Sequence, residues 1–421
     1  MSGLVGELIA VANRLAGEGK WGEAEEAWRR VHQAEPRNPK GLFGLGIHAL
    51  QRGDAATAIR YLSEACEVAP ADLFALMTLA RARQAAGDPA GELDAISRAL
   101  VVDAYYLPGL LAKANFTERH GRAADAAFAY RNALIVAPPK ERWPDVLRQQ
   151  LEHAEQVVAR HQQSFARFLD EALAAKLAAL SPQEHERWRE SMSIMTGATK
   201  PYLSDSNQLT VPRLPAIPFF DKAMFPWAGQ IESQTEVIRT ELMAALEADR
   251  ERFAPYIAYK PGDPVNQWQE LNHSLRWSTY QLWRAGAPDP EGQARCPQTT
   301  AALRAVEMAD IAGLCPNAMF SALAPRTRIP PHHGETNARL VVHLPLIVPE
   351  NCSYRVGFEW RKWEVGKLLI FDDTIEHEAR NDSDELRVVL IFDVWNPLIS
   401  AAERDMVRAM TTVARTYSTL D

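Results

Sequence analysis

Between Pro331 and Pro397 the chain carries a histidine pair, His332/His333, ahead of one β-like run and another histidine, His377, beyond a second. Arg387 follows ten residues later, inside a third run. Two imidazoles at separate strand ends can hold one metal ion and leave coordination positions open, and a guanidinium on a neighbouring strand can clamp a carboxylate beside it. An oxygenation driven by iron and a 2-oxo acid requires this set of groups. Strand alternation sorts their neighbours. Arg339, Val341 and His343 share one face, and Leu340, Val342 and Leu344 the other; later Arg387, Val389, Ile391 and Asp393 share a face. A guanidinium in so apolar a run needs an anion, because an unpaired buried charge is very costly. Pattern alone leaves that anion open: an internal carboxylate (Asp373, Glu376 or Asp393) or a bound one. His343 is equally open, as a satisfied core histidine or a functional group.

The elements that must position these residues are short and β-rich. NAMFSALAP, ARLVVHLPLIV, SYRVGF, EWRKW, KLLIFDD and LRVVLIFDVW are separated by Pro, Gly or Asp/Asn clusters. Such a series implies a double-sheet jelly roll rather than a parallel sheet. Upstream, WSTYQLWRAG at 277–286 alternates like a strand, residues 297–312 read as a helix, and IESQTEVIRTELMAALEADRERF reads as another. The proline- and aromatic-rich stretch 198–228 lacks helical period and is expected to wrap over the following domain. Residues 141–197 are expected to form one or two helices, with a cap signal near Ser181.

The first third repeats. Gly19, Gly53, Gly87 and Gly121 lie 34 residues apart, and Pro36, Pro70, Ala104 and Pro138 keep the same interval. Small residues at Ala65, Ala99 and Ala133 (Val31 in the first unit) follow three positions after Trp28, Leu62, Ile96 and Tyr130. The small residue lets two helices approach, the bulky one fills the groove, glycine takes the turn and proline ends the second helix. This resembles the tetratricopeptide repeat, best in the second unit through Leu45, Gly46, Ala58, Leu62, Ala65 and Pro70. Stacked repeats form a solenoid with a concave groove, which either binds a peptide or protein or only supports its neighbour. The expected organisation is a repeat domain at 1–138, a helical cap or linker at 139–200 and a catalytic domain at 201–421.

Composition sets limits on function. Hydrophobic residues make up 47% and charged residues 24%, ordinary for a globular protein, and the net charge of −8 argues against a general nucleic-acid or anionic-membrane binder. No signal peptide or membrane span is read. The four cysteines (Cys66, Cys296, Cys315 and Cys352) form no CxxC pair, which fits a reducing, cytoplasmic setting.

The segment FSALAP, PHHGETNARLVVHLPL, EW..WEVGKLLIFDD, EHE and DVWNP resembles the aspartyl/asparaginyl β-hydroxylases, a branch of the iron(II)- and 2-oxoglutarate-dependent dioxygenases. The likeness is dense over about 315–400 and weaker back to about 215. The resemblance implies a double-stranded β-helix fold, Fe(II), 2-oxoglutarate and O2 as cofactor and co-substrates, and hydroxylation of the β-carbon of an Asp- or Asn-type residue in a peptide or protein. It implies His332 and His377 as iron ligands, and Ser321, His343 and Arg387 as holders of 2-oxoglutarate. Arg339 would face the substrate side chain. A second cofactor-contacting arginine of some members falls at Val341. The usual His-x-Asp/Glu carboxylate falls at Gly334, so either water fills the third position or a one-residue shift makes His333, Glu335 and His377 the triad. Three other readings stay in view: a cupin-like enzyme using another metal, a repeat adaptor with an inactive jelly roll, and an oxygenase acting on a lipid or small molecule.

Overall fold

The computed structural model describes residues 2–417 and divides into two compact units, 1–199 and 200–421. The first unit is built of helix pairs: α1 (Ser2–Gly17) with α2 (Trp21–Ala34), α3 (Pro39–Gln51) with α4 (Ala55–Val68), α5 (Leu73–Ala85) with α6 (Pro89–Val102), and α7 (Leu107–His120) with α8 (Ala123–Val136). The period reaches the caps. Asn38 and Asp72 each accept backbone N–H groups at the start of one helix, and Asp54 and Asp88 do so in the partner series, both pairs 34 residues apart. Trp28, Leu62, Ile96 and Tyr130 are all buried, as are Val31, Ala65, Ala99 and Ala133. Close approach is strictest at α3, where a Cβ on Gly44 would lie 2.5 Å from the Trp28 ring and one on Gly46 2.5 Å from Leu62. Of the four turn glycines, Gly19, Gly53 and Gly87 take positive φ, but Gly121 has φ −111°. The fourth turn needs glycine for a different reason, since a Cβ there would lie 2.7 Å from the Thr117 carbonyl oxygen. The long α9 (Asp145–Ala178) packs Leu151, Ala154 and Val157 against Tyr130 and Ala133, and a Ser181–Glu184 capping box starts α10 (Pro182–Met195).

The second unit opens with α11 (Ala228–Ser233) and α12 (Thr235–Ala248), two helices where the sequence suggested one, and continues into β1 (Ala254–Pro255), β2 (Trp277–Arg284) and β3 (Ala287–Pro288). After α13 (Pro290–Arg295) and α14 (Pro297–Arg304) come β4 (Ala318–Leu323), β5 (Thr327–His332), β6 (Arg339–Ile347), β7 (Cys352–Val356), β8 (Glu359–Arg361), β9 (Leu369–Phe371), β10 (His377–Asn381) and β11 (Arg387–Trp395), and finally α15 (Ala401–Tyr417). The helix expected at 297–312 is thus corrected to one ending at Arg304. Beyond it the chain leaves helical geometry so that Met308 can bridge Val394 and Ile311 can bridge Cys315.

All pairing is antiparallel between the strands. Seven strands form one sheet in the order β1-β2-β4-β11-β6-β9, with β3 on β2, and four form another in the order β5-β10-β7-β8. One face of the larger sheet (Leu340, Val342, Leu344, Val388, Leu390, Phe392) packs on α12 and α14 through Ile238, Leu242 and Leu303. The other face meets the smaller sheet in a second core, where Val341, Phe371 and Val389 contact Ile329, Tyr354 and Ala379. The irregular stretch after Lys200 runs along the loop between β5 and β6: Asn207 donates to the His333 carbonyl at 2.8 Å, and Leu209 bridges Thr336. Among the described residues no helix is long and apolar enough to cross a membrane, and all four cysteines are buried and unpaired.

Candidate active site

A cavity of about 470 Å³ lies between the two sheets of the second unit, and every residue singled out from sequence lines it: Ser321, His332, Arg339, His343, His377 and Arg387. The smaller sheet supplies the imidazoles. His332 closes β5 and His377 opens β10, and the two are directly paired across the strands with ring centroids 4.0 Å apart. Each ring is fixed through Nδ1, His332 to the Pro330 carbonyl at 2.8 Å and His377 to the Ile375 carbonyl at 3.1 Å. With those nitrogens donating, both Nε2 atoms keep a lone pair, as metal ligation needs. Burial, reinforced by His377, pushes His332 down to about 3, and burial pushes His377 down to about 4. Both are neutral at physiological pH. His333 instead bonds the Thr374 carbonyl at 2.9 Å, and Glu335 is turned toward Gln208 and Arg339. The geometry therefore brings together His332 and His377, not a His333-centred triad.

No third His, Cys, Asp or Glu joins these two in a metal-holding group among the described residues. Gly334 stands where a chelating carboxylate is usual, and the space its Cβ would enter is filled by the carboxylate of Asp373, whose Oδ1 has no hydrogen-bond partner. The residues present fit a divalent metal held by two imidazoles, with an acceptor beside it for a water ligand.

The larger sheet supplies Ser321, His343 and Arg387. Ser321 on β4 pairs with Val389, and His343 on β6 with Ile391; both partners lie on β11, where Arg387 shares their face. Arg387 is 1% exposed and no carboxylate pairs with it among the described residues. Its Nη1 donates to the Ser321 carbonyl at 3.3 Å, its Nε has no partner, and its guanidinium lies 4.6 Å over the Trp363 ring. Burial accordingly pushes it down to about 10. The internal ion pair open from sequence is not formed. Asp373 and Asp393 face Arg339 (2.9 and 3.5 Å), and Glu376 pairs with Arg355.

Arg339 is the converse case. Burial opposes its charge, but Asp373, Asp393 and Glu335 hold it well above the ordinary range. It lines the cavity with its charge already balanced. Burial also drives His343 well below its usual range, with Arg387 adding to the effect.

Sequence reasoning missed the aromatic residues that frame these groups. Trp277 donates its indole N–H to Ser321 Oγ at 3.1 Å, Trp363 donates to His343 Nδ1 at 3.3 Å, and Trp268 stands edge-on to His332 at 5.0 Å. The first two contacts span 44 and 20 residues of chain, beyond any local spacing signal.

A family model described as aspartyl/asparaginyl beta-hydroxylase matches residues 232–397. The ornithine lipid ester-linked acyl 2-hydroxylase of Rhizobium tropici is 37% identical over 202 residues, covering 47% of this chain and 68% of that protein. The aspartyl/asparaginyl beta-hydroxylase of Mus musculus is 31% identical over 182 residues, 43% of this chain but only 23% of its own length. Over the repeats, MamA of Desulfovibrio magneticus RS-1 overlays at a TM-score of 0.30, with 18% identity and coverage of 31% of this chain and 75% of that one, a likeness too slight to carry an argument. The sequence match that spans two thirds of one relative, together with the family model over the sheet-bearing region, places this chain in the aspartyl/asparaginyl β-hydroxylase family.

Proposed function

We propose that the second unit is an Fe(II)- and 2-oxoglutarate-dependent dioxygenase that hydroxylates an unactivated carbon, the β-carbon of an Asp- or Asn-type residue in a peptide or protein. The observation that carries this reading is Arg387, a buried guanidinium without a carboxylate, facing a cavity whose opposite wall presents two neutral imidazoles. A dicarboxylate reaching from the imidazoles to Arg387 supplies the missing countercharge. Antiparallel pairing and a cavity between two packed sheets support a double-stranded β-helix, or jelly roll, as the fold of this unit.

Iron, 2-oxoglutarate and O2, when bound, supply the oxidising power that turns C–H into C–OH, with loss of CO2 to leave succinate. The chain's own work is to hold and to exclude. His332 and His377 hold the metal, Arg387, Ser321 and His343 hold the co-substrate, and the aromatic wall of Trp268 and Trp277 keeps bulk water from the imidazoles. Arg339 lies beside the substrate space, and its existing carboxylates favour an amide side chain over an acidic one, since a further carboxylate would meet three already there. In the first unit a groove lined by Arg81, Asn115 and His153 supports delivery of a peptide or protein substrate by the repeats.

The test is anaerobic titration of the full chain with iron(II) and 2-oxoglutarate, followed by oxygen and a succinate assay. Succinate release by wild type and its loss in His377→Ala are expected. Absence of turnover in wild type, or undiminished turnover in His377→Ala, overturns the reading. Running the assay with peptides and with acyl lipids separates the two substrate classes.

A further inference from the structure

The groups facing the anion side of the cavity are not all committed donors. Arg387 can only donate, but a serine hydroxyl and a neutral imidazole can each donate or accept, and an ambiguous pair would take a carboxylate or an amide equally well. An indole N–H can only donate. Two of them are spent here, Trp277 on Ser321 Oγ at 3.1 Å and Trp363 on His343 Nδ1 at 3.3 Å. With Nδ1 accepting, neutral His343 must carry its proton on Nε2, for which no partner is recorded among the described residues, on a side chain that lines the cavity. With Oγ accepting, Ser321 keeps its own proton to give to a ligand. The Trp363 ring also lies beneath Arg387, with the guanidinium carbon 4.6 Å from its centroid, and is itself 4% exposed.

We infer that Trp363 and Trp277 are positioning residues that set the polarity of this pocket: Trp363 occupies the single acceptor nitrogen of neutral His343 and commits that imidazole to donating, while Trp277 holds one lone pair of Ser321 Oγ and turns its O–H toward the ligand, so that the pocket favours a carboxylate over the matching amide. This rests on the co-substrate reading above and names what makes that site selective. Removing an indole N–H frees its partner to rotate or change tautomer, so the variant both loses a charge-assisted donor and gains an acceptor for an amide.

The experiment compares 2-oxoglutarate with its distal amide, 2-oxoglutaramate, by calorimetric binding to the iron(II)-loaded full chain without oxygen. Wild type should prefer the acid by about a hundredfold or more, the scale of a lost charge-assisted hydrogen bond together with an opposed donor. Trp363→Phe keeps a ring under Arg387 and loses the N–H; it should weaken 2-oxoglutarate about tenfold and narrow the preference by a similar factor, with iron affinity unchanged. Trp363→Leu, which loses the ring as well, should weaken it further. Independently of any variant, ¹⁵N spectra of histidine-labelled wild type should show His343 protonated on Nε2. Binding of 2-oxoglutarate with His343 protonated on Nδ1, or with unaltered preference in Trp363→Phe, overturns the inference and leaves the co-substrate reading standing. Failure of wild type to bind 2-oxoglutarate removes both.

Discussion

Arg387 and Arg339 stand on the same side of one sheet, yet their surroundings are opposite. Arg339 is matched by Asp373, Asp393 and Glu335, whereas Arg387 has only a carbonyl and an aromatic face. Strand alternation identified both as inward-facing, but the partner of a buried charge depends on side chains brought in from other strands. For that reason the internal pair with Asp373 or Asp393 could not be told from a ligand site until the register was known. Gly334 offers a sharp residue-level test. Gly334→Asp restores the usual His-x-Asp spacing, but its Cβ would collide with the Asp373 carboxylate. Iron affinity should therefore not improve in Gly334→Asp, and should rise only when Asp373→Gly is added, as read by anaerobic competition with a chelator. The imidazoles give a second expectation. With His332 at about 3 and His377 at about 4, fewer than about 2% of either is protonated at pH 6, so iron affinity should be nearly flat from pH 6 to 8. An ordinary imidazole would lose affinity steeply below about 6.5 over that window.

At the scale of elements, the runs that sequence revealed best were those buried on both faces or repeated. β6 and β11 are almost continuously apolar and fell where expected, and the 34-residue interval set out the helix pairs of the first unit. The strands carrying the histidines were harder. β5 reads TRIPPH and β10 reads HEARN, where charges interrupt the apolar pattern because the outer face of the smaller sheet carries an ion-paired layer, with buried Glu378 held by Arg328 and Arg355. The strand-end position expected for His377 is the one it takes, as the first residue of β10, but its direct pairing with His332 across the ladder was not legible. Helix packing gives a prediction of its own. Gly44→Ala and Gly46→Ala, whose Cβ atoms would press on Trp28 and Leu62, should each destabilise the first unit by about 1–3 kcal/mol in urea unfolding. Gly6→Ala, with nothing within 4 Å, should instead stabilise it by up to about 1 kcal/mol.

For the molecule as a whole, two units of different architecture invite separate assays. If the repeat groove delivers a peptide, Arg81→Glu with His153→Ala should raise KM several-fold for long peptides and leave short ones unchanged. The cysteines report on both units together. Burial pushes Cys66 up to about 11 and Cys296 up to about 12, and all four thiols are buried, so iodoacetamide at pH 8 should label none in native protein and all after urea, as counted by mass. The division of labour between the sheets has a further consequence. The imidazoles belong to one sheet and Arg387 to the other, and the side chains of Val389, Phe371, Tyr354 and Ile329 hold the two apart. Under the roles proposed above, that core is a caliper: its thickness would set the length of oxo acid able to bridge the gap. A change as remote from the chemistry as Val389→Ala should then register as a changed preference between a five-carbon oxo acid and its longer homologue.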